Sequence, residues 1–107
     1  MQMSKTNYHG ILLRRGWVDN DRDGTPLLIN ENREAYRVND TAVSIWNMCN
    51  GITFEDLFLE VLRISSGRSD EVRKSLEEMI FQFRHISVVE LKYTASVSEA
   101  RRSGMQT

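Results

Sequence analysis

Cysteine is nearly absent from this chain, and long apolar runs are missing from it altogether. One cysteine among 107 residues excludes an intramolecular disulfide. No apolar stretch approaches the roughly 18 residues of a membrane-spanning helix, and no signal-peptide core is found. These absences predict a single cytoplasmic domain that makes no contact with a membrane.

The sequence also lacks an excess of charge of either sign. It has 14 Lys and Arg residues against 15 Asp and Glu residues, which gives a formal net charge of −1. Such a balance provides no general attraction toward nucleic acid or anionic lipid. Binding to nucleic acid is therefore not expected.

Groups that commonly carry catalysis are scarce. The two histidines, His9 and His85, lie far apart in sequence and have no partner at metal-ligand spacing. Cys49 has no base nearby and falls on an apolar helix face, which favours a buried thiol. A glycine-rich phosphate loop is also missing. The prediction is a protein without catalytic activity, cofactor or metal.

The stretch DNDRDG at 19–24 matches the first half of a calcium-binding loop. Asp19, Asp21 and Asp23 alternate as calcium ligands do, and Gly24 follows them. The twelfth loop position, however, holds Asn30 instead of a bidentate Glu, and the flanking segments have strand patterns instead of helical ones. Asp, Asn and Gly suit a tight reversal of the chain, so we interpret the stretch as a hairpin turn.

The first third of the chain carries strand patterns. They predict strands over 11–18, 26–29 and 34–38, joined by polar turns into a three-stranded antiparallel meander. The third strand is expected at the edge of the sheet, because the chain leaves it for a helix. An edge strand presents unpaired backbone N–H and C=O groups, which can accept an extended peptide as an added strand.

After the third strand the apolar period becomes helical. Asn39 is the expected N-cap of a first helix, and Gly51 is expected to stop it. Thr53 caps a second helix in a pattern similar to a capping box. Ser69 is the expected cap of a third helix, and a short strand over 88–91 follows that helix. The third helix has an apolar seam with spacings of four and three: Val72, Leu76, Met79, Phe83 and Ile86.

One side of the third helix carries candidate binding residues. At about 100° per residue, Arg73, Glu77, Ile80 and Arg84 flank the apolar seam, while Phe81 falls on the solvated side. An exposed aromatic side chain is a candidate partner contact. The alternative is a single exposed Phe without functional meaning.

The order of these elements and several local words resemble the PqqD-like family. The stretch YRVNDTAVSIW at 36–46 is similar to the family word Y-x-[LV]-N-x-T-A-x-x-I-W. NGITFEDL at 50–57 is similar to D-G-x-x-T-x-x-[ED]-L, and ISVVE at 86–90 stands where the family often has L-G-L-L-E. The resemblance covers about residues 11–91. Members of this family are recognition elements, or peptide chaperones, of pathways that modify ribosomally made peptides.

The resemblance implies a winged-helix-like α+β fold, in which a three-stranded antiparallel sheet is followed by three helices. Residues 11–93 would form the peptide-binding domain, between a flexible N-terminus at 1–10 and a disordered tail at 94–107. A protein of this family has no catalytic activity of its own. It binds the leader segment of a precursor peptide as a strand added to the third strand, and it presents that peptide to a modifying enzyme. In many members this enzyme is a radical S-adenosylmethionine enzyme. Carried over by position, the leader site consists of Glu34, Ala35, Tyr36, Arg37, Val38, Arg73, Glu77, Ile80, Phe81 and Arg84.

Two positions depart from the family pattern. Glu34 stands where a glycine is common before the third strand, and Ser87 replaces the glycine after the third helix. Both changes are expected to alter the local turns, and with them the width of the binding groove.

Other functions fit parts of the sequence. A winged-helix DNA-binding regulator has a similar order of elements, but acidic residues are interspersed among Arg73, Lys74 and Arg84. The acidic turn at 19–24 is a poor contact for phosphate, although it leaves a calcium-regulated module as a third reading. A free edge strand also leaves a homodimer open.

Overall fold

The computed structural model describes residues 10–93. In this range the chain forms six strands and three helices, in the order β1 (Gly10–Arg14), β2 (Trp17–Asn20), β3 (Pro26–Ile29), β4 (Ala35–Arg37), α1 (Asp40–Met48), β5 (Asn50–Thr53), α2 (Phe54–Ile64), α3 (Ser69–His85) and β6 (Val89–Tyr93). None of these helices has the length and apolarity that crossing a membrane requires. Apart from Gly10, which begins β1, the segments 1–10 and 94–107 lie outside the described residues.

The strands form two small antiparallel sheets. The first sheet has the order β2-β3-β4 and is the predicted meander, with Val18 opposite Leu28 and Leu28 opposite Tyr36. The second sheet has the order β5-β1-β6. It pairs Gly10 with Tyr93, so the two ends of the described chain meet. The α+β class and the three helices are confirmed.

The prediction of one continuous strand over 11–18 is wrong, because the chain bends at Gly16 and leaves the direction of β1. This glycine has a φ of +81°, and a Cβ atom placed on it would lie 1.9 Å from the carbonyl oxygen of Ile29. Only glycine fits such a left-handed position against another backbone segment. The bend assigns β1 to one sheet and β2 to the other.

The expected order of three strands followed by three helices is also too simple. Strand β5 lies between α1 and α2, and β6 follows α3. Both pair with β1, which is the central strand of its sheet. These pairings join segments far apart in sequence, and no local pattern reports them.

Two of the predicted helix starts are confirmed. The side-chain oxygen of Asn39 accepts a hydrogen bond from the Ala42 N–H at 2.8 Å, and Thr53 Oγ1 accepts one from the Asp56 N–H at 3.1 Å. The prediction for α3 is wrong by one residue, because Arg68 is its N-cap and no side chain caps it. Gly51 does not stop α1 either. That helix ends at Met48, and Gly51 lies within β5.

The core lies between the helices and the inner faces of both sheets. Of the α3 seam, Leu76 and Phe83 are buried, and the other three members are partly buried against the core. The indole Nε1 of Trp46 donates to the carbonyl oxygen of Val88 at 2.8 Å. Cys49 is fully buried, and burial raises the pKa of its thiol to about 12. The interpretation of Cys49 as a core residue is confirmed.

A buried asparagine joins the meander to the end of α3. Asn30 is 1% exposed, and its Oδ1 accepts hydrogen bonds from the backbone N–H groups of Asn32 and Glu34. Its Nδ2 donates to the Glu34 carboxylate at 2.8 Å and to the Ile86 carbonyl at 3.0 Å. Every hydrogen-bonding group of this side chain therefore has a partner, as buried polar groups require.

The two departures from the family pattern have different outcomes. Ser87 itself adopts the left-handed conformation, with a φ of +65°. The following N–H, of Val88, then bonds to the carbonyl of Phe83 at 2.9 Å, which closes α3 as a glycine would. In the turn before β4 the left-handed residue is Arg33, with a φ of +68°, so position 34 does not require a glycine.

Candidate functional site

The acidic stretch at 19–24 turns the chain from β2 into β3, as predicted, although its first two residues still pair within β2. The Asp21 N–H donates to the Thr25 carbonyl at 2.8 Å, and the Gly24 N–H donates to the Asp21 carbonyl at 3.0 Å. Hydrogen bonds from Thr25 lower the pKa of Asp23. Arg37 on β4 forms ion pairs with both Asp21 and Asp23. Within residues 10–93 no group of three acidic, His or Cys side chains is placed to hold a metal ion.

Strand β4 is a free edge of the meander. The Val38 N–H donates to the Pro26 carbonyl at 3.0 Å, which fixes the alternation of the ladder. In an antiparallel pair, successive residues point their backbone groups alternately toward and away from the partner strand. The backbone N–H and C=O groups of Tyr36 therefore point toward β3, whereas those of Ala35 and Arg37 point outward. No described strand lies beyond them.

The five helical residues of the predicted site come together. They line one cavity of about 360 Å³ whose other walls come from β1, β6 and α2. The members of this lining are Arg73, Glu77, Ile80, Phe81 and Arg84 of α3, with Leu12, Phe54, Glu55 and Leu91. A second cavity of about 610 Å³ lies beside α3 and β6, and Phe81, Arg84 and Leu91 border both. The two cavities together are called the α3–β6 groove below.

Ile80 and Phe81 contribute to different depths of this groove. Ile80 is 6% exposed and lies in the core as well as at the groove floor. Phe81 is 65% exposed, and its ring stacks on His85 with 6.4 Å between centroids. The two residues therefore flank one groove, although helical spacing suggested that they lie on different sides.

The arginines of the groove differ in how their charge is compensated. Arg73 donates two hydrogen bonds to the Glu55 carboxylate, at 2.9 and 2.8 Å, and lies 4.2 Å from the centroid of the Phe58 ring. The hydrogen bonds lower the pKa of Glu55 and raise that of Arg73. Arg15 is bound by Glu90. Arg84 forms no ion pair with any described residue, which distinguishes it from Arg15 and Arg73.

Strand β6 is a second edge strand of the described residues, open at Val89 and Leu91, and its position was not predicted. The Arg15 N–H donates to the Val88 carbonyl at 2.8 Å, so the backbone groups of Val89 and Leu91 point away from β1. Among the described residues no strand pairs on that side. The sequence indicated a strand over 88–91, but no local signal showed that its outer edge lies beside α3.

The two halves of the predicted site are separate. None of residues 34–38 lines the α3–β6 groove, although Glu31 in the turn before β4 lines its larger cavity. On the opposite flank of α3, a third cavity of about 300 Å³ lies against α1, with Ile45 and Met79 among its lining residues. The residues that the sequence grouped as one site thus belong to two strand edges.

Comparisons with known proteins add no relative to this picture. No family model matches the chain, and no curated protein or solved structure matches it. The resemblance to the PqqD-like family therefore depends on the sequence words given above.

Proposed function

We propose that this chain binds the leader segment of a ribosomally made precursor peptide as an added β-strand and presents the peptide to a modifying enzyme. The observation that carries the proposal is a free strand edge beside an apolar groove along α3. Backbone hydrogen bonds from the edge hold any extended peptide, and pockets for alternate side chains select among sequences. The resemblance to the PqqD-like family supports the same function.

Two free edges are candidates for the added strand. The resemblance assigns the leader to β4, where Ala35 and Arg37 offer outward backbone groups. Strand β6 offers those of Val89 and Leu91 instead, beside the helical residues that the resemblance also assigns to the site. Either edge supports recognition of an extended peptide.

The proposal assigns catalysis to the partner enzyme, which in many members of the family is a radical S-adenosylmethionine enzyme. The thiol of Cys49 is a poor nucleophile here, because it is fully buried and its pKa is raised to about 12. Binding without chemistry is then the role of the domain.

An amide NMR titration with the leader half of the precursor peptide encoded nearest to this chain tests the proposal. We expect saturable shifts confined to residues 34–38 or to the α3–β6 groove. A scrambled leader and a random DNA duplex serve as controls. Equal shifts with the scrambled peptide, or salt-dependent binding of the duplex without leader binding, would contradict the proposal.

A further inference from the structure

We infer that β6 is the edge that receives the leader, and that the bound segment carries an apolar residue two positions from an acidic one. This inference rests on the proposed function, because it names the edge and the ligand chemistry of that same site. It departs from the assignment to β4 that the family resemblance implies.

The first reason is the neighbourhood of each edge. The outward groups of Leu91 and Val89 lie where β6 borders the groove, and both residues line the larger cavity together with Phe81 and Arg84. The cavities of about 360 and 610 Å³ fall within the range of ordinary ligand sites. At β4, by contrast, the Arg37 side chain is engaged by the acidic turn.

The second reason is the apolar floor of the smaller cavity. Leu12 and Ile80 are buried there, and Phe54 and Leu91 are partly buried. The exposed ring of Phe81 borders the same space, so a large apolar side chain from a ligand would cover it. Exposed aromatic surface at the rim of a concave site is characteristic of binding surfaces.

The third reason is the charge of Arg84. It borders both cavities and has no described carboxylate partner, whereas Arg15 and Arg73 are bound by Glu90 and Glu55. Glu31 and Glu77 also border the groove, so a uniformly acidic peptide would be repelled. A single acidic residue beside apolar ones matches this pattern, because it pairs with Arg84 alone.

Strand geometry sets the spacing. Residues two positions apart on a strand share a face and lie about 6.8 Å apart. A peptide paired with β6 that places an apolar side chain over Leu12 and Leu91 directs its next side chain on the same face along the groove. Because Arg84 borders both cavities, we expect its guanidinium to pair with an acidic side chain at that position.

Proline scanning of the two edges tests which strand is used. Leu91→Pro removes an outward N–H of β6, and Arg37→Pro removes one of β4, while neither residue donates to its own ladder. Leu91→Ala and Arg37→Ala are the matched controls, which shorten the side chain but keep the N–H. In titrations with the leader, we expect Leu91→Pro to bind at least about tenfold more weakly than Leu91→Ala. Arg37→Pro and Arg37→Ala are expected to bind the leader with equal affinity.

Synthetic peptides test the ligand chemistry. The probes are acetylated, amidated nine-residue Ser/Thr peptides that carry Leu and Glu two positions apart, in either order, with Lys in place of Glu as the control. We expect one order to bind, the Lys control to bind about tenfold more weakly, and Arg84→Glu to reverse that preference.

Several results would overturn the inference. Loss of leader binding in Arg37→Pro but not in Leu91→Pro would show that the leader pairs with β4, which would leave the proposed function intact. Binding that neither proline affects would exclude strand addition. Equal binding of the Glu and Lys peptides would exclude the role of Arg84. Failure of the wild-type chain to bind the leader at all would overturn the proposed function together with the inference.

Discussion

At Ser87 the chain leaves α3 in a left-handed conformation, which lowers the stability of the fold when the residue has a Cβ atom. Its φ of +65° lies in the left-handed region, where the Cβ atom of an L-residue costs about 1–2 kcal/mol of folding free energy. The hydrogen bond from the Val88 N–H to the Phe83 carbonyl depends on this conformation. Ser87 thus keeps the geometry of the helix end at a cost to stability.

Replacing Ser87 with glycine is therefore expected to stabilise the fold. We expect Ser87→Gly to raise the free energy of unfolding by roughly 0.5–1 kcal/mol, since part of the relieved strain is offset by the freer unfolded chain. Urea denaturation measures this change. Ser75→Gly, within α3, is the control and should lower stability by a similar amount. A destabilised Ser87→Gly would mean that the serine is not strained.

At the scale of elements, two glycines with similar φ values have different surroundings. Gly16, at +81°, faces the carbonyl oxygen of Ile29 at 1.9 Å from an added Cβ. Gly24, at +87°, has no atom within 4 Å of such a Cβ. Comparing the two glycines therefore separates the stability cost of a left-handed backbone from the cost of a steric clash with the Ile29 carbonyl.

Alanine substitution at the two positions tests the bend between β1 and β2. Gly24→Ala is expected to lose about 1–2 kcal/mol of stability from the backbone alone. Gly16→Ala is expected to lose roughly 2–5 kcal/mol, because overpacking adds to that strain. Chemical denaturation of both variants measures the difference. Equal losses would show that the sheets can separate at Gly16 without penalty.

The ion pair between α2 and α3 predicts a dependence on pH. Because Arg73 lowers the pKa of Glu55, their contribution is present above the unfolded pKa of Glu and is lost as pH falls through the folded value. Arg73→Met is therefore expected to cost at most about 1 kcal/mol near pH 7. This cost should shrink below pH ~4.5. Thermal unfolding across pH measures it, with Arg63→Met, which removes an ion pair within α2, as the control. A cost that does not change with pH would assign the effect to ring packing.

The sequence predicted elements whose causes are local. Asn39 and Thr53 cap helices through their own side chains, and the turn at 19–24 closes through its own backbone, so short patterns were sufficient. The partners of β1 could not be predicted this way, because Gly10 pairs with Tyr93 across nearly the whole chain. The helical half of the site was predicted from periodicity, whereas the strand beside it follows from that distant pairing.

For the whole molecule, the junction of the two halves depends on Asn30. Its side chain connects the turn before β4 to the carbonyl of Ile86 at the end of α3. Asn30→Ala leaves these buried groups without partners, so we expect a loss of roughly 2–4 kcal/mol. Asn32→Ala, at an exposed position of the same turn, should stay within about 0.5 kcal/mol.

Hydrogen exchange distinguishes a loosened junction from general weakening. We expect amides of β3 and β4 in Asn30→Ala to exchange faster than those of α2, because the meander would open before the rest of the fold. Uniform acceleration in both regions would show that the two halves unfold together. Equal stability of the Asn30 and Asn32 variants would show that water replaces the lost bonds.

The central position of β1 has a consequence for synthesis on the ribosome. The meander pairs neighbouring segments, so it can form while the rest of the chain is still being translated. Strand β1 is made first among the described elements, yet its partner β6 is made last. The second sheet and the groove beside it must wait until Val89–Tyr93 has left the exit tunnel. A nascent chain therefore completes its β4 edge before its β6 edge, and the walls of the α3–β6 groove come together only after translation has passed this strand.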